Sequence, residues 1–496
     1  MTDHFGFPDS GRFFVPQRFE ADLHDCEVTG QIPPQLDGAF IRIGSDWVFP
    51  PKFKNDSPFN EDGYVSRFRI KNGKCSYKGR WIRTRRYENN LAAGRQLYGC
   101  YRNPYTDDES VRDTAHPQSR TVANTAPFAF GGKLLALKED GHPYEIDPVT
   151  LETRGSFDFN GQYRCPTFTA HPKLDSVTGD LFAYGYEAMG PASNDLWLTV
   201  IGADGRIKHE VRFKVPYVSM LHDIALTEKH IIFPVFPYVT SLEWLQAGKV
   251  HWAWDNAAPL YYGVFPRDGE AGDMRWFKGP QRAVLHTLSA RTQGDKVILD
   301  APIFDGNPFP FFPAVDGSPW NPAKAGASLR RVTFDLSSKS DSYVEEIIFP
   351  EPAVADLVRI DERFIGQAVR YGFTAFADES KFDHAKMGDV RRRVFNCYGR
   401  FDMQERRYRG YFAGPTHGLQ EVCFVPRSAD APEGDGYILG VANNFAEMRA
   451  ELIIADTQNL EAGDVARVIL PFRSNVQVHG NWYTAAELPG LAQETL

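Results

Sequence analysis

The sequence predicts an all-β protein, a sandwich, barrel or propeller, on three observations. Short β-rich runs separated by polar turns recur along the chain, the spacing of a many-stranded β fold. Several runs end in Asp or Ala-Asp before a turn and a further strand, the meander expected of propeller blades. Helical periodicity is rare.

In chain order, Gly132-Lys-Leu-Leu-Ala-Leu-Lys leads through a turn to Tyr144-Glu-Ile-Asp-Pro-Val-Thr and then Leu151-Glu-Thr-Arg-Gly-Ser-Phe-Asp-Phe. The pattern returns at His171–Tyr184 and at Leu196–Val211, where Ala203-Asp-Gly forms a hairpin turn between alternating strands. Leu329–Leu336 and Ala450–Gln458 are further copies. The copies diverge too far for their period to count the blades. Ser241-Leu-Glu-Trp-Leu-Gln-Ala-Gly is the best short helix, stopped by Gly248. Stretches near 85–120, 251–280 and 300–328 read as long irregular loops, the last rich in Pro, Gly and Phe. Loops of that length usually cover a functional site. With no linker or low-complexity segment, residues 1–496 read as one domain.

The chain has 496 residues, 42% hydrophobic and 24% charged, with a net charge of −9, which excludes a disordered or fibrous chain. Mild acidity argues against a nucleic-acid binder. The longest apolar run, Ile231–Val239, is broken by Pro234 and Pro237, too short to span a membrane. The opening Met-Thr-Asp-His-Phe-Gly has neither a basic nor an apolar leader region, so no signal peptide is expected. Cys26, Cys75, Cys100, Cys165, Cys397 and Cys423 form no Cys-x-x-Cys pair, which favours buried thiols and a cytoplasmic location over a disulfide framework or zinc site.

There is no His-Glu-x-x-His, no P-loop, and no Gly-x-Gly-x-x-Gly opening a helix. The informative residues are isolated histidines beside apolar neighbours, His171, His222, His286 and His479. They are so far apart in sequence that only a closed fold could gather them. Any single one of the 13 histidines is more often a satisfied core or surface imidazole.

Phe168-Thr-Ala-His-Pro-Lys-Leu-Asp-Ser-Val-Thr-Gly, Leu221-His-Asp-Ile-Ala-Leu-Thr-Glu, Glu421-Val-Cys-Phe-Val-Pro-Arg and Val478-His-Gly-Asn-Trp together resemble the carotenoid cleavage oxygenase family, as does Ile32-Pro-Pro-Gln-Leu-Asp-Gly-Ala-Phe-Ile-Arg-Ile-Gly. The resemblance runs from about residue 20 to the C-terminus, and the motifs keep the family's order. It implies a seven-bladed β-propeller with long loops and a few short helices capping the active-site face. It also implies a non-haem Fe(II) on the axis, held by His171, His222, His286 and His479. Around His286 the wording departs from the family's usual sequence. Four neutral imidazoles suit ferrous iron and leave positions for O2. By resemblance, Glu139, Asp356 and Glu421 orient the ligands through their other ring nitrogens. Asp356 stands where the family usually has Glu, so its shorter side chain calls for a bridging water or a small shift. Thr125 matches a small residue that crowds the sixth iron position.

Tyr98-Gly-Cys-Tyr-Arg-Asn-Pro-Tyr-Thr-Asp-Asp, with Lys138 directly before Glu139, is similar to the bacterial lignostilbene dioxygenase branch. That likeness implies that Tyr105 and Lys138 bind a 4-hydroxyl and favour its phenolate. Phe59 and Phe309 are candidates for a flat aromatic slot. The resulting expectation is an Fe(II) dioxygenase that splits the central alkene of a 4-hydroxystilbene into two aromatic aldehydes, with O2 as co-substrate and a homodimer plausible from relatives. An apocarotenoid cleaver and a non-catalytic propeller scaffold are the competing readings. The first predicts a greasy tunnel with an exposed apolar patch, the second no bound metal.

Overall fold

The computed structural model describes residues 16–54, 56–112 and 120–494. The fold is mostly β, a propeller whose blades are antiparallel sheets. Strands Ala126–Phe130, Lys133–Leu137, Tyr144–Ile146 and Thr153–Ser156 form one four-stranded blade. Lys173–Leu174, Leu181–Tyr186, Asp195–Ile201 and Ile207–Lys214 form the next. Ala225–Leu226, His230–Val235, Leu260–Pro266 and Arg275–Gly279 form a third. A seven-stranded sheet follows, but its middle strands Val344–Val354 and Tyr371–Phe376 share only the pair Val354–Phe376, so it divides into two blades. With the two sheets completed by Glu27–Gly30 and His479–Tyr483, the described residues form seven blades.

Burial explains why these segments are strands. In Leu181–Tyr186 every residue is buried, because a middle strand is covered on both faces by neighbouring blades. The outer strand Ile207–Lys214 instead alternates between buried and exposed positions toward its end. The core therefore lies between blades: Leu198 and Val211 of one share a cluster with Ile231 and Phe233 of the next.

Both chain ends close the ring. Glu27–Gly30 pairs with Ala466–Ile469, and His479–Tyr483 pairs with Gly38–Asp46 in the register Ile43–His479. The closing C-terminal strand thus carries one of the four histidines.

The hairpin at 203–205 forms as expected, between Asp195–Ile201 and Ile207–Lys214 with Gly205 at φ +78°. The short helix is Leu242–Gln246, capped by the Ser241 hydroxyl. Two loop expectations need correction. Residues 85–93 are a helix, with Thr84 accepting from the Tyr87 N–H and Gly94 ending it at φ +65°. The 251–280 stretch holds the two outer strands of a blade, whose alternation is masked by intervening Pro, Gly and Asp residues. Between Phe304 and Ala327 the chain is indeed a long loop with one short 3-10 turn. No helix among the described residues is long and apolar enough to cross a membrane.

Candidate active site

Each of the four histidines sits at the start of a blade's first strand. His171 lies just ahead of Lys173–Leu174, His222 ahead of Ala225–Leu226 and His286 ahead of Ser289–Gln293, while His479 opens His479–Tyr483. First strands converge on a propeller axis, so equivalent strand ends meet although the residues are far apart in sequence. The Nε2 atoms of His171 and His222 are 3.1 Å apart, those of His222 and His286 3.2 Å, and those of His286 and His479 3.3 Å. All four ligand atoms lie within 4.8 Å of one another.

Three carboxylates fix the rings from outside. The Nδ1 of His222 bonds Glu139 Oε1, that of His286 bonds Asp356 Oδ2 at 2.7 Å, and that of His479 bonds Glu421 Oε1 at 2.8 Å. An ionised carboxylate only accepts, so each Nδ1 carries the hydrogen and each Nε2 presents a lone pair. Lone pairs facing each other at these distances repel unless a cation sits among them. The donor set therefore fits a divalent metal of the imidazole-binding kind.

The charges agree with that fit. Burial and the neighbouring imidazoles push His171 well below the usual histidine range. Burial holds His479 down at about 4, against the opposing pull of Glu421. Burial also works against a charge on His286, but Asp356, with Asp223 and Glu421, outweighs it and raises this group. Burial would raise Glu421, yet His479 and Arg359 hold it at about 2. Glu139 is likewise held below the carboxylate range, by His222 and Lys138 against burial.

Lys138 follows directly on Lys133–Leu137 and is only 4% exposed. Its Nζ lies 5.1 Å from the Tyr101 ring centroid, 5.5 Å from that of Phe59 and 3.8 Å from Glu139 Oε2. Burial lowers its pKa, partly offset by Glu139 and Asp140. Phe59 meets Phe309 edge-on at 5.2 Å and Phe311 at 5.3 Å, and Phe309 stacks on Phe311 at 5.1 Å. The expected aromatics Phe59 and Phe309 thus pack together, and Phe59 stands beside the lysine. Tyr105 does not join them and must be corrected: it sits on the 3-10 turn Pro104–Thr106, 46% exposed, with its N–H capped by the Asn103 side chain. The tyrosine at Lys138 is Tyr101, 1% exposed and held through its N–H to Asp56 Oδ1 at 2.9 Å. Both tyrosines lie in the same eleven-residue motif, and which one turns inward depends on the turn that Asn103 and Pro104 impose.

Sequence reasoning also missed Asp223 and Arg359. Asp223 pairs with Lys173 at 2.7 Å and accepts from the Thr287 N–H and hydroxyl, both at 2.8 Å, tying together the residues that follow His222 and His286. Arg359 lies 3.4 Å from Glu421 Oε2 and donates to Gly480 O at 3.1 Å, bracing the Glu421–His479 pair. The only signals were the place of Asp223 directly after His222 in its motif and that of Arg359 three residues after Asp356. A cavity of about 380 Å³ reaches His171, His286 and His479 past Lys173 and Arg359. Phe59, Tyr101, Lys138 and Phe309 do not line it.

A profile of the retinal pigment epithelial membrane protein family matches residues 14–484. The chain belongs to the carotenoid oxygenase family. It is 39% identical to lignostilbene-alpha,beta-dioxygenase isozyme III of Sphingomonas paucimobilis, covering 97% of this chain and 99% of that one. It is 40% identical to isoeugenol monooxygenase of Pseudomonas nitroreducens, over 94% and 96% of the two chains. The crystal structure of Pseudomonas brassicacearum lignostilbene dioxygenase superposes with a TM-score of 0.91 at 38% identity, over 96% and 98% of the two chains.

In this chain Asp356 needs neither water nor shift to reach its histidine; it bonds His286 directly, leaving Oδ1 without a partner. Thr125 immediately precedes the first strand of its blade, Ala126–Phe130. Its hydroxyl bonds the Asn124 side chain at 3.3 Å, and the Asn124 amide donates to Phe59 O at 3.2 Å and Glu61 O at 2.8 Å. The start of that strand is thereby linked to the aromatic slot.

Proposed function

We propose that this protein is a non-haem Fe(II) dioxygenase that cleaves the alkene of a 4-hydroxystilbene, or a closely related 4-hydroxyphenyl alkene, into two carbonyl products. The observation that carries this reading is the buried Lys138 ammonium, flanked by Tyr101 and Phe59, one residue from a carboxylate that holds a histidine of the four-His centre. Lignostilbene and isoeugenol, the compounds in the names of two relatives, both carry a 4-hydroxyphenyl group conjugated to an alkene.

His171, His222, His286 and His479 would hold the iron, and Glu139, Asp356 and Glu421 keep the rings oriented and their Nε2 atoms unprotonated. Bound there, iron supplies the activation of O2 that no side chain can provide. The chain's own contribution is at the phenol. A phenol with an ordinary pKa of about 10 is driven toward its phenolate by an adjacent ammonium, the more so where little water competes. Tyr101 is held protonated by burial and by Glu139, so it remains a hydrogen-bond donor to that oxygen. The phenolate pushes electron density through the ring to the alkene, which raises its reactivity toward oxygen. Overall, one C=C and one O=O bond are replaced by two C=O bonds, so each aldehyde takes one oxygen atom. Phe59, Phe309 and Phe311 offer the ring faces that seat flat aryl groups.

Anaerobic iron loading followed by oxygen uptake with a panel of stilbenes, isoeugenol and one apocarotenoid tests this reading. Uptake is expected with the hydroxylated alkenes, with two carbonyl products per O2 from a stilbene. Uptake with the apocarotenoid alone would overturn it.

A further inference from the structure

Three of the four histidines have a carboxylate on Nδ1; among the described residues His171 has none. Its backbone N–H is held by the Thr169 hydroxyl at 2.9 Å, which fixes the main chain but not the ring. Two residues on, across Pro172, Lys173 reaches Asp223 Oδ1 at 2.7 Å. Proline locks one backbone dihedral of that link, so a constraint on Lys173 is carried to His171.

Asp223 is 2% exposed and directly follows His222. Its Oδ1 also accepts from the Ile224 N–H at 2.8 Å. Its Oδ2 accepts from the N–H and the hydroxyl of Thr287, which directly follows His286, both at 2.8 Å. The same hydroxyl lies 3.0 Å from Ile224 O. One buried carboxylate thus joins the segments of three ligands, with both of its oxygens engaged.

This arrangement meets a physical need of the site. The Nε2 atoms of His171 and His222 are 3.1 Å apart and those of His222 and His286 3.2 Å. Until a cation lies between them, facing lone pairs push these segments apart. Glu139 and Asp356 fix how the rings of His222 and His286 are turned, but each serves one ligand and sets no distance between ligands. Asp223 spans both of those distances. The fourth ligand is held otherwise: His479 opens a strand paired with Gly38–Asp46, and Arg359 donates to Gly480 O at 3.1 Å beside Glu421. Because Lys173 neutralises Asp223, the contribution is one of geometry rather than of charge at the metal.

We propose that Asp223, with Lys173 and Thr287, is a positioning residue of the metal centre: it sets the spacing of His171, His222 and His286 before a metal arrives, and through Lys173 it braces the one ligand that has no carboxylate of its own. This rests on the four histidines holding a divalent metal.

The test titrates full-length, metal-free protein with Co(II) in the absence of O2, since the visible absorption band of bound Co(II) follows its coordination geometry. The readouts are the dissociation constant, the band, and the melting temperature of the metal-free protein. Asp223→Asn keeps the shape but loses the charge and one acceptor oxygen. It should weaken Co(II) binding by about 10–100-fold, as for loss of a ligand's orienting partner, and shift the band. Lys173→Met should act in the same direction by about tenfold, since it frees the His171 segment alone. Lys173→Arg, which keeps the ion pair, should restore most of the affinity and the wild-type band. Lys173 lines the cavity with its side chain 19% exposed, so its variants decide if Asp223→Asn does not fold. A folded variant with wild-type affinity and band would overturn the proposal. So would a lowered melting temperature with both unchanged, which would reduce Asp223 to packing between blades. Wild-type protein that binds no Co(II), or a His222→Ala variant that binds it as tightly as wild type, would instead overturn the four-histidine centre on which the proposal rests.

Discussion

The least expected residue is Tyr101. It and Tyr105 share one motif, and the sequence reading named Tyr105; the structure turns Tyr101 into the protein beside Lys138 and leaves Tyr105 at the surface. Tyr101→Phe should therefore lower turnover on a 4-hydroxystilbene by roughly tenfold, the scale of one hydrogen bond to a charged oxygen, while Tyr105→Phe should not change it. Steady-state rates of the two variants settle the point. Among the carboxylates, direct bonding of Asp356 to His286 makes it equivalent to Glu139 and Glu421. Glu139→Gln and Asp356→Asn should each weaken iron retention by about 10–100-fold, the usual cost of losing a ligand's orienting partner. Iron content after dialysis against a chelator measures this, and full retention in either variant would identify that carboxylate as a bystander. His171, His222, His479 and Glu421 were legible because each lies inside a contiguous motif, while His286, Glu139 and Asp356 were placed by the family resemblance alone. The roles of Asp223, though it lies in the His222 motif, and of Arg359 were not legible, since they come from partners distant in sequence, Thr287 and Gly480.

At the scale of elements, strand ends place the chemistry and turns tune it. The strands of 132–156 and 181–214 could be read from alternation and turn residues, and the hairpin at 203–205 from its Asp-Gly. The outer strands of 260–279 could not, because Pro, Gly and charged residues around them imitate a loop while cross-strand pairing decides the structure. The 85–93 helix was hidden likewise, its Arg-, Asn- and Glu-rich face lacking a clear apolar stripe. The turn after Leu181–Tyr186 bears on stability. Burial would raise Glu187, but His251 and Arg102 outweigh it and hold the group at about 2. A carboxylate depressed on folding stabilises the fold above its unfolded pKa of about 4.3, and that contribution disappears as pH falls through the folded value. Glu187→Gln should thus lower stability near neutral pH by on the order of 3 kcal/mol. It should also flatten the loss of stability between about pH 4 and 2. Thermal unfolding across that range checks both, and parallel acid limbs in wild type and variant would contradict the assignment.

For the whole molecule, ring closure and the active site depend on the same strands. The N-terminal strand Glu27–Gly30 completes the blade that contains Glu421, and the C-terminal strand His479–Tyr483 completes its neighbour and supplies a ligand. Deleting residues 1–30 removes the first clasp but no residue of the site. It should lower the melting temperature by about 5 °C or more, the shift expected for a few kcal/mol in a chain of this size. Iron loss should accompany that shift, because the clasped blades hold Glu421 and His479. An unchanged melting temperature would show that the C-terminal clasp alone closes the ring. The architecture as a whole thus brings four histidines to an axis and sets a buried ammonium beside them, and the account stands or falls on whether that ammonium acts through a phenolate. The most direct measurement is oxygen uptake by the iron-loaded enzyme on 4-hydroxystilbene and on its methyl ether, which cannot ionise. The account predicts that the hydroxyl compound is cleaved at least about 100-fold faster, as for sites built to bond a hydroxyl; comparable rates on the two would contradict it.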